Sequence, residues 1–146
     1  MTYLDTSALL KLYVSEPESA SLADFVVRLK SPLPYTALHE LEIANAIEQR
    51  LAASEMTSQE ATQIRALIEA DLANGILARR EVSWPEVFAS AIRLVLRNNR
   101  RHGLRSLDSL HVGCALAWKD RTFVTFDRRQ ASAATAEGLK VPAITP

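Results

Sequence analysis

The sequence predicts an α/β fold in which a mainly parallel sheet of short strands lies between two layers of helices. Three observations lead there. Short apolar runs alternate with longer segments of helical periodicity. Helices separate these runs, so successive strands cannot form hairpins and must pair in parallel. The chain has 146 residues, 48% of them apolar, enough to bury a core on both faces of such a sheet.

In chain order, TYLD at 2–5 reads as a short buried strand that ends in an acid and runs into a helix from Thr6 to Val14, with Ala8, Leu9, Leu12 and Tyr13 at helical spacing. A second helix, Pro17 to Lys30, carries Leu22, Phe25 and Val26 on one face. LPYT at 33–36 is the next strand, followed by helices from Ala37 to Ala53 and from Ser58 to Leu77. A helix from Pro85 to Arg101 has its proline in the first turn, where no N–H is needed, and Ser106 is the expected N-cap of a helix from Leu107 to Lys119. TFVTF at 122–126 is a strand, Arg128 to Glu137 a helix, and KVPAI at 140–144 a last strand. No repeat, low-complexity tract or Gly/Ser linker interrupts this order, so residues 1–146 are expected to form one domain.

Seventeen basic and seventeen acidic side chains cancel, so a polyanionic partner would be held by a local patch rather than by bulk charge. The lone cysteine, Cys114, excludes an internal disulfide and argues against a thiolate metal site, which suits a reducing cytoplasm. No apolar run approaches the roughly 18 residues of a membrane span, and no leader-like segment opens the chain. A soluble protein without membrane contact is expected.

Four acids stand out. Asp5 and Asp127 each end a strand and precede a helix, so either could simply cap that helix. Asp108 lies in the first turn of its helix, where a negative charge gains about 0.3–1 kcal/mol from the dipole. Glu42 has no such excuse, since HELEIANAI puts it between Leu38 and Ala46 on a partly apolar stripe. Glu40 lies about 200° away around the helix, so the two cannot both face one small site; Glu42 is the choice and Glu40 stays open as its substitute. Together the four are better explained by convergence: carboxylates crowded at the carboxyl ends of parallel strands repel one another, and a hard divalent cation relieves that repulsion. An all-oxygen set favours Mg2+, with Mn2+ as a substitute, and such ions promote phosphodiester hydrolysis.

On these residues the chain resembles the PIN-domain ribonucleases, specifically the VapC-type toxins of toxin–antitoxin pairs. YLDTSALLKLY, TALHELEIANAI, SLDSLHVGCALAW and FVTFDRRQ occur in the family's order and spacing. The resemblance implies a three-layer α/β/α PIN-like fold and metal-dependent endonucleolytic cleavage of RNA. It puts the acidic metal ligands and catalytic residues at Asp5, Glu42, Asp108 and Asp127, with Ser7 and Thr125 lining the site. It further implies a homodimer and a cognate VapB-like antitoxin lying across the acidic groove.

His111, one helical turn after Asp108, either ligates metal or orients and packs, the second being the better reading in an apolar helix. His39 and His102 have no evident role. RNNRRHGLR at 97–105 collects Arg97, Arg100, Arg101 and Arg105 before the Asp108 helix; a solvated helix end explains them, but their position favours contact with RNA phosphates. Arg128 and Arg129 are further candidates. Two other readings stay open: a phosphohydrolase with an aspartate nucleophile, which would usually have a second Asp where Ser7 stands, and a non-catalytic nucleic-acid or protein-binding module.

Overall fold

The computed structural model describes the backbone of residues 1–146 and the side chains of residues 1–97 and 103–146. The order is β1 (Thr2–Leu4), α1 (Thr6–Leu10), α2 (Ser19–Val27), β2 (Leu33–Tyr35), α3 (Ala37–Ala52), α4 (Ser58–Ala73), β3 (Leu77–Arg79), α5 (Trp84–His102), α6 (Ser106–Ala117), β4 (Thr122–Val124) and α7 (Arg128–Ala136). All pairing between these strands is parallel: β1 with β4, Leu4 opposite Val124, and β2 with β3, Tyr35 opposite Arg79.

Side chains on successive strand residues point to opposite faces, and the strands divide the core accordingly. Leu4 and Val124 pack with Ala8, Leu9, Leu22, Ile43, Ile47 and Ile64 on one side. Tyr3 and Phe123 pack with Val87, Leu94, Val112 and Cys114 on the other. This is the helix-rich three-layer arrangement expected, with short parallel strands between helices. Helices α5 and α6 approach closely at Gly113, where a Cβ would sit 3.0 Å from the carbonyl oxygen of Val87. The buried Cys114 thiol is pushed up to about 11 by desolvation and is not a ready nucleophile.

The strands form two two-stranded sheets rather than one continuous sheet. His39 bridges the two. Its Nε2–H donates to the Leu4 carbonyl at 2.9 Å, and its Nδ1 accepts from the Thr36 N–H at 3.1 Å. A side chain thus takes up backbone groups at the ends of β1 and β2 and joins the two sheets.

Other boundaries differ for local reasons. The expected helix to Leu77 stops at Ala73, because Gly75 turns left-handed (φ +73°) and releases Leu77–Arg79 to pair with β2. That strand has no β-branched residue to announce it. The first helix ends at Leu10 rather than Val14, and the second runs Ser19–Val27, inside the expected 17–30, with Lys30 in the left-handed region. KVPAI forms no strand: Lys140 makes one bridge with Thr122, and Pro142 has no N–H with which to extend the ladder. Helix α6 starts one residue early, with Arg105 at the cap position in place of Ser106. Among the described residues no helix is long and apolar enough to cross a membrane.

Candidate active site

Because β1 and β4 are parallel neighbours, the residues that follow them emerge side by side. Asp5 follows β1 and caps α1, its Oδ1 accepting from the Ala8 N–H at 2.7 Å and the Ser7 hydroxyl at 2.9 Å. Its Oδ2 accepts from Thr125 at 2.6 Å. Thr125 in turn accepts from the Asp127 N–H at 3.0 Å, so one hydroxyl ties the two strand ends together. Asp127 caps α7, accepting from the N–H groups of Arg129 and Gln130 at 2.7 and 3.2 Å. Both acids therefore do cap helices, and both also border a cavity of about 770 Å³.

Helices α3 and α6 bring the other two acids to the same cavity. Glu42 is half-buried, and its Oε2 accepts from the Thr6 hydroxyl and from His111 Nε2, each at 2.5 Å. With its proton on Nε2, His111 accepts at Nδ1 from the Tyr3 hydroxyl, 2.8 Å away. His111 is 1% exposed and orients Glu42 through this chain. Glu40 points away to an exposed ion pair with Arg79 at 3.2 Å. Asp108 accepts from the Arg105 N–H at 3.3 Å and from Gln130 Nε2 at 3.1 Å, so Gln130 spans Asp108 and Asp127.

The environment divides the acids into two pairs. Burial pushes the Asp5 carboxyl up despite its three donors. Burial also raises Asp108, with further upward pressure from Asp127 and Glu42 only partly opposed by the Arg105 N–H. Glu42 is pushed up by burial but pulled further down by the hydrogen bonds it accepts from His111 and Thr6. Asp127 ends below its usual value because Arg129 and the α7 N–H groups outweigh its desolvation. Asp108 thus senses the negative charge of its neighbours, the condition a cation relieves. Among the described residues no three acids or histidines stand together at ligating spacing. The donor set, all hard oxygen, fits Mg2+ or Mn2+ rather than a softer metal.

Other expected residues lie elsewhere. Arg97 is 3.8 Å from Glu137, and both line a different cavity. Arg105 is exposed at the start of α6, beside Asp108, and Arg128 is exposed on α7. Arg129 lies 3.3 Å from Asp127. The side chains of Arg100, Arg101 and His102 fall outside the described residues. Thr6, Gln130, Lys11 and Arg50, none of them a candidate from the sequence, also line the acidic cavity. Thr6 could have been found as the immediate neighbour of Asp5, and Gln130 as the residue one turn into the Asp127 helix; no local pattern marks the two cations.

None of the curated proteins compared with this chain matches it significantly. Among solved structures, the crystal structure of FitAcB from Neisseria gonorrhoeae is similar with a TM-score of 0.59 at 16% identity, over 98% of this chain and 97% of that one. At that identity the likeness establishes the fold. PIN domains are generally nucleases and typically use divalent metal ions. The family model described as the PIN domain matches residues 2–136, so the chain, with its short parallel strands between helices and acids at the strand ends, belongs to the PIN-domain family.

Proposed function

We propose that this protein is a metal-dependent endoribonuclease of the VapC type, the toxin of a toxin–antitoxin pair. The observation that carries the reading is the meeting of Asp5, Glu42, Asp108 and Asp127 around one cavity, with Asp108 raised in part by its acidic neighbours. These four carboxylates would hold Mg2+, or Mn2+ in its place. When bound, such an ion polarises a phosphoryl oxygen and acidifies a water near the scissile phosphodiester. The protein's own groups do the positioning: Thr125 and Ser7 fix Asp5, Thr6 and His111 fix Glu42, and Gln130 holds Asp108 against Asp127. Arg105 stands exposed beside Asp108, where it would meet RNA phosphate. A homodimer and a VapB-like antitoxin follow from the sequence resemblance, the antitoxin placing a basic side chain among the acids, and a cytoplasmic location follows from the lone cysteine.

An aspartate nucleophile fits less well. Ser7 stands two residues after Asp5 where such an enzyme would usually carry a second Asp, and its hydroxyl donates to the Asp5 carboxylate. The reading is tested by RNA cleavage in magnesium. Asp5→Asn and Asp108→Asn should each reduce cleavage by about two orders of magnitude or more while the domain remains folded. Cleavage at the unsubstituted rate by these folded variants would refute it.

A further inference from the structure

The cavity lined by the four acids is also lined by two cations. Lys11 follows α1, and Arg50 lies in the last turn of α3. Both reach the carboxylate of Glu16, in the segment between α1 and α2: Arg50 at 2.9 Å, and Lys11 by a close ion pair. Lys11 also meets Glu18 at 2.9 Å, and its ammonium sits 4.8 Å from the centre of the Phe126 ring, next to Asp127.

Helix ends alone account for a cation near each site, because positive charge is favoured there. They do not account for the direction of these side chains. Long cations at a helix end ordinarily extend into water, whereas Lys11 and Arg50 are 12% and 28% exposed and share one carboxylate at the cavity wall. Arg50 and Glu42 lie eight residues apart on α3, about 12 Å at 1.5 Å per residue. A nucleic-acid strand entering among the acids meets repulsion, and a flanking phosphate must find cations within a few nucleotides. Glu16 occupies the place that such a phosphate would take. Its two oxygens receive an ammonium and a guanidinium, as two non-bridging phosphate oxygens would. The segment need not unfold to release it, since the Glu16 backbone N–H is held separately by the Ser19 hydroxyl at 2.9 Å.

We propose that Lys11 and Arg50 bind a phosphate of the RNA strand flanking the one cut at the acids, and that Glu16 is the internal anion this phosphate displaces. The proposal rests on the ribonuclease reading and adds the path of the substrate and a self-competing gate along it. Before RNA binds, Glu16 keeps both cations oriented. Afterwards it swings to solvent, and Glu18 remains beside Lys11.

The test uses the full chain carrying Asp5→Asn, which binds without cutting, and a short labelled oligouridine whose affinity is followed by fluorescence anisotropy across several salt concentrations. Lys11→Gln and Arg50→Gln should each weaken binding several-fold and reduce the salt slope by about 0.7, the share of one single-strand phosphate contact. Arg50→Lys should retain the slope. Glu16→Gln should do the opposite of a damaged fold: it removes the competing anion, tightens binding and steepens the salt dependence. Urea midpoints of every variant show that each is folded. If the Asp5→Asn parent binds RNA but the two cation variants leave affinity and slope unchanged, or Glu16→Gln fails to tighten binding, the proposal is overturned and the ribonuclease reading stands. If the parent binds no RNA and the unsubstituted protein cuts none in magnesium, both fall.

Discussion

Protonating His39 should loosen the end of the fold that carries Asp5 and Glu42. The residue is fully buried, and its two ring nitrogens hold the Leu4 carbonyl and the Thr36 N–H, a pattern only the neutral ring can satisfy. Burial holds its pKa down at about 3 against an ordinary 6.5; the Leu4 carbonyl and Glu42 oppose this only in part. The folded value lies below the unfolded one, so the unfolded chain takes up the proton first as pH falls. Stability from this group is therefore complete above pH 6.5 and is lost progressively toward pH 3. The loss is about 1.4 kcal/mol per pH unit, or about 2.7 kcal/mol between pH 6.5 and 4.5, a large part of the 5–15 kcal/mol typical of a domain. His39→Gln can still donate to Leu4 but does not titrate. Near pH 7 it should be less stable by about 1–3 kcal/mol, the cost of leaving the Thr36 N–H unpaired. That gap should close or reverse by pH 4.5. Urea unfolding at a series of pH values, followed by the fluorescence of Trp84 and Trp118, measures both free energies. A gap that stays constant from pH 7 to 4.5 would refute the neutral, doubly bonded His39.

Two further outcomes concern the acids. In metal-free buffer at neutral pH, Asp5→Asn should be as stable as the unsubstituted protein or more so. The carboxyl's folded pKa is raised, so its stabilisation is complete below 3.8 and lost as pH rises through the folded value, and the amide removes that loss. Asp5→Ala should instead cost about 2–4 kcal/mol, because the α1 cap disappears and the Thr125 hydroxyl loses its acceptor. Thermal melts separate the two, and equal destabilisation would contradict the assignment; added magnesium should stabilise the unsubstituted protein by about 2.7 kcal/mol at 100 times its Kd and leave Asp5→Asn nearly unmoved. Glu42→Gln should weaken calorimetric magnesium binding, while Glu40→Gln, which breaks only an exposed pair with Arg79, should not; the reverse ranking would place the wrong glutamate at the cavity.

Local chemistry made much of this protein legible. A short strand leading through an acid into a helix places Asp5 directly after β1 and Asp127 two residues past the end of β4, and parallel pairing then sets Asp5 next to Thr125, whose hydroxyl bonds both acids. The angular step of a helix separates Glu42 from Glu40 without any tertiary information. The same logic fails where a residue's role is set by a distant partner. His39 has a local partner in Thr36 at the start of its own helix, but its link to β1 carried no signal, because the Leu4 carbonyl lies 35 residues away and on the backbone. The chain from Tyr3 through His111 to Glu42 joins residues 108 and 69 positions apart. Strand β3 was hidden inside a helical pattern because Leu77–Arg79 has no strand propensity of its own and is held by pairing with β2. Lys11 and Arg50 each look like ordinary cations at a helix end, and only the packing of α1 against α3 turns both toward Glu16 and one cavity. Sequence determines which residue types stand at strand ends and on helix faces, since those follow from short-range backbone geometry. Which distant groups share a hydrogen bond or a charge is decided only when the core closes and sets their separation.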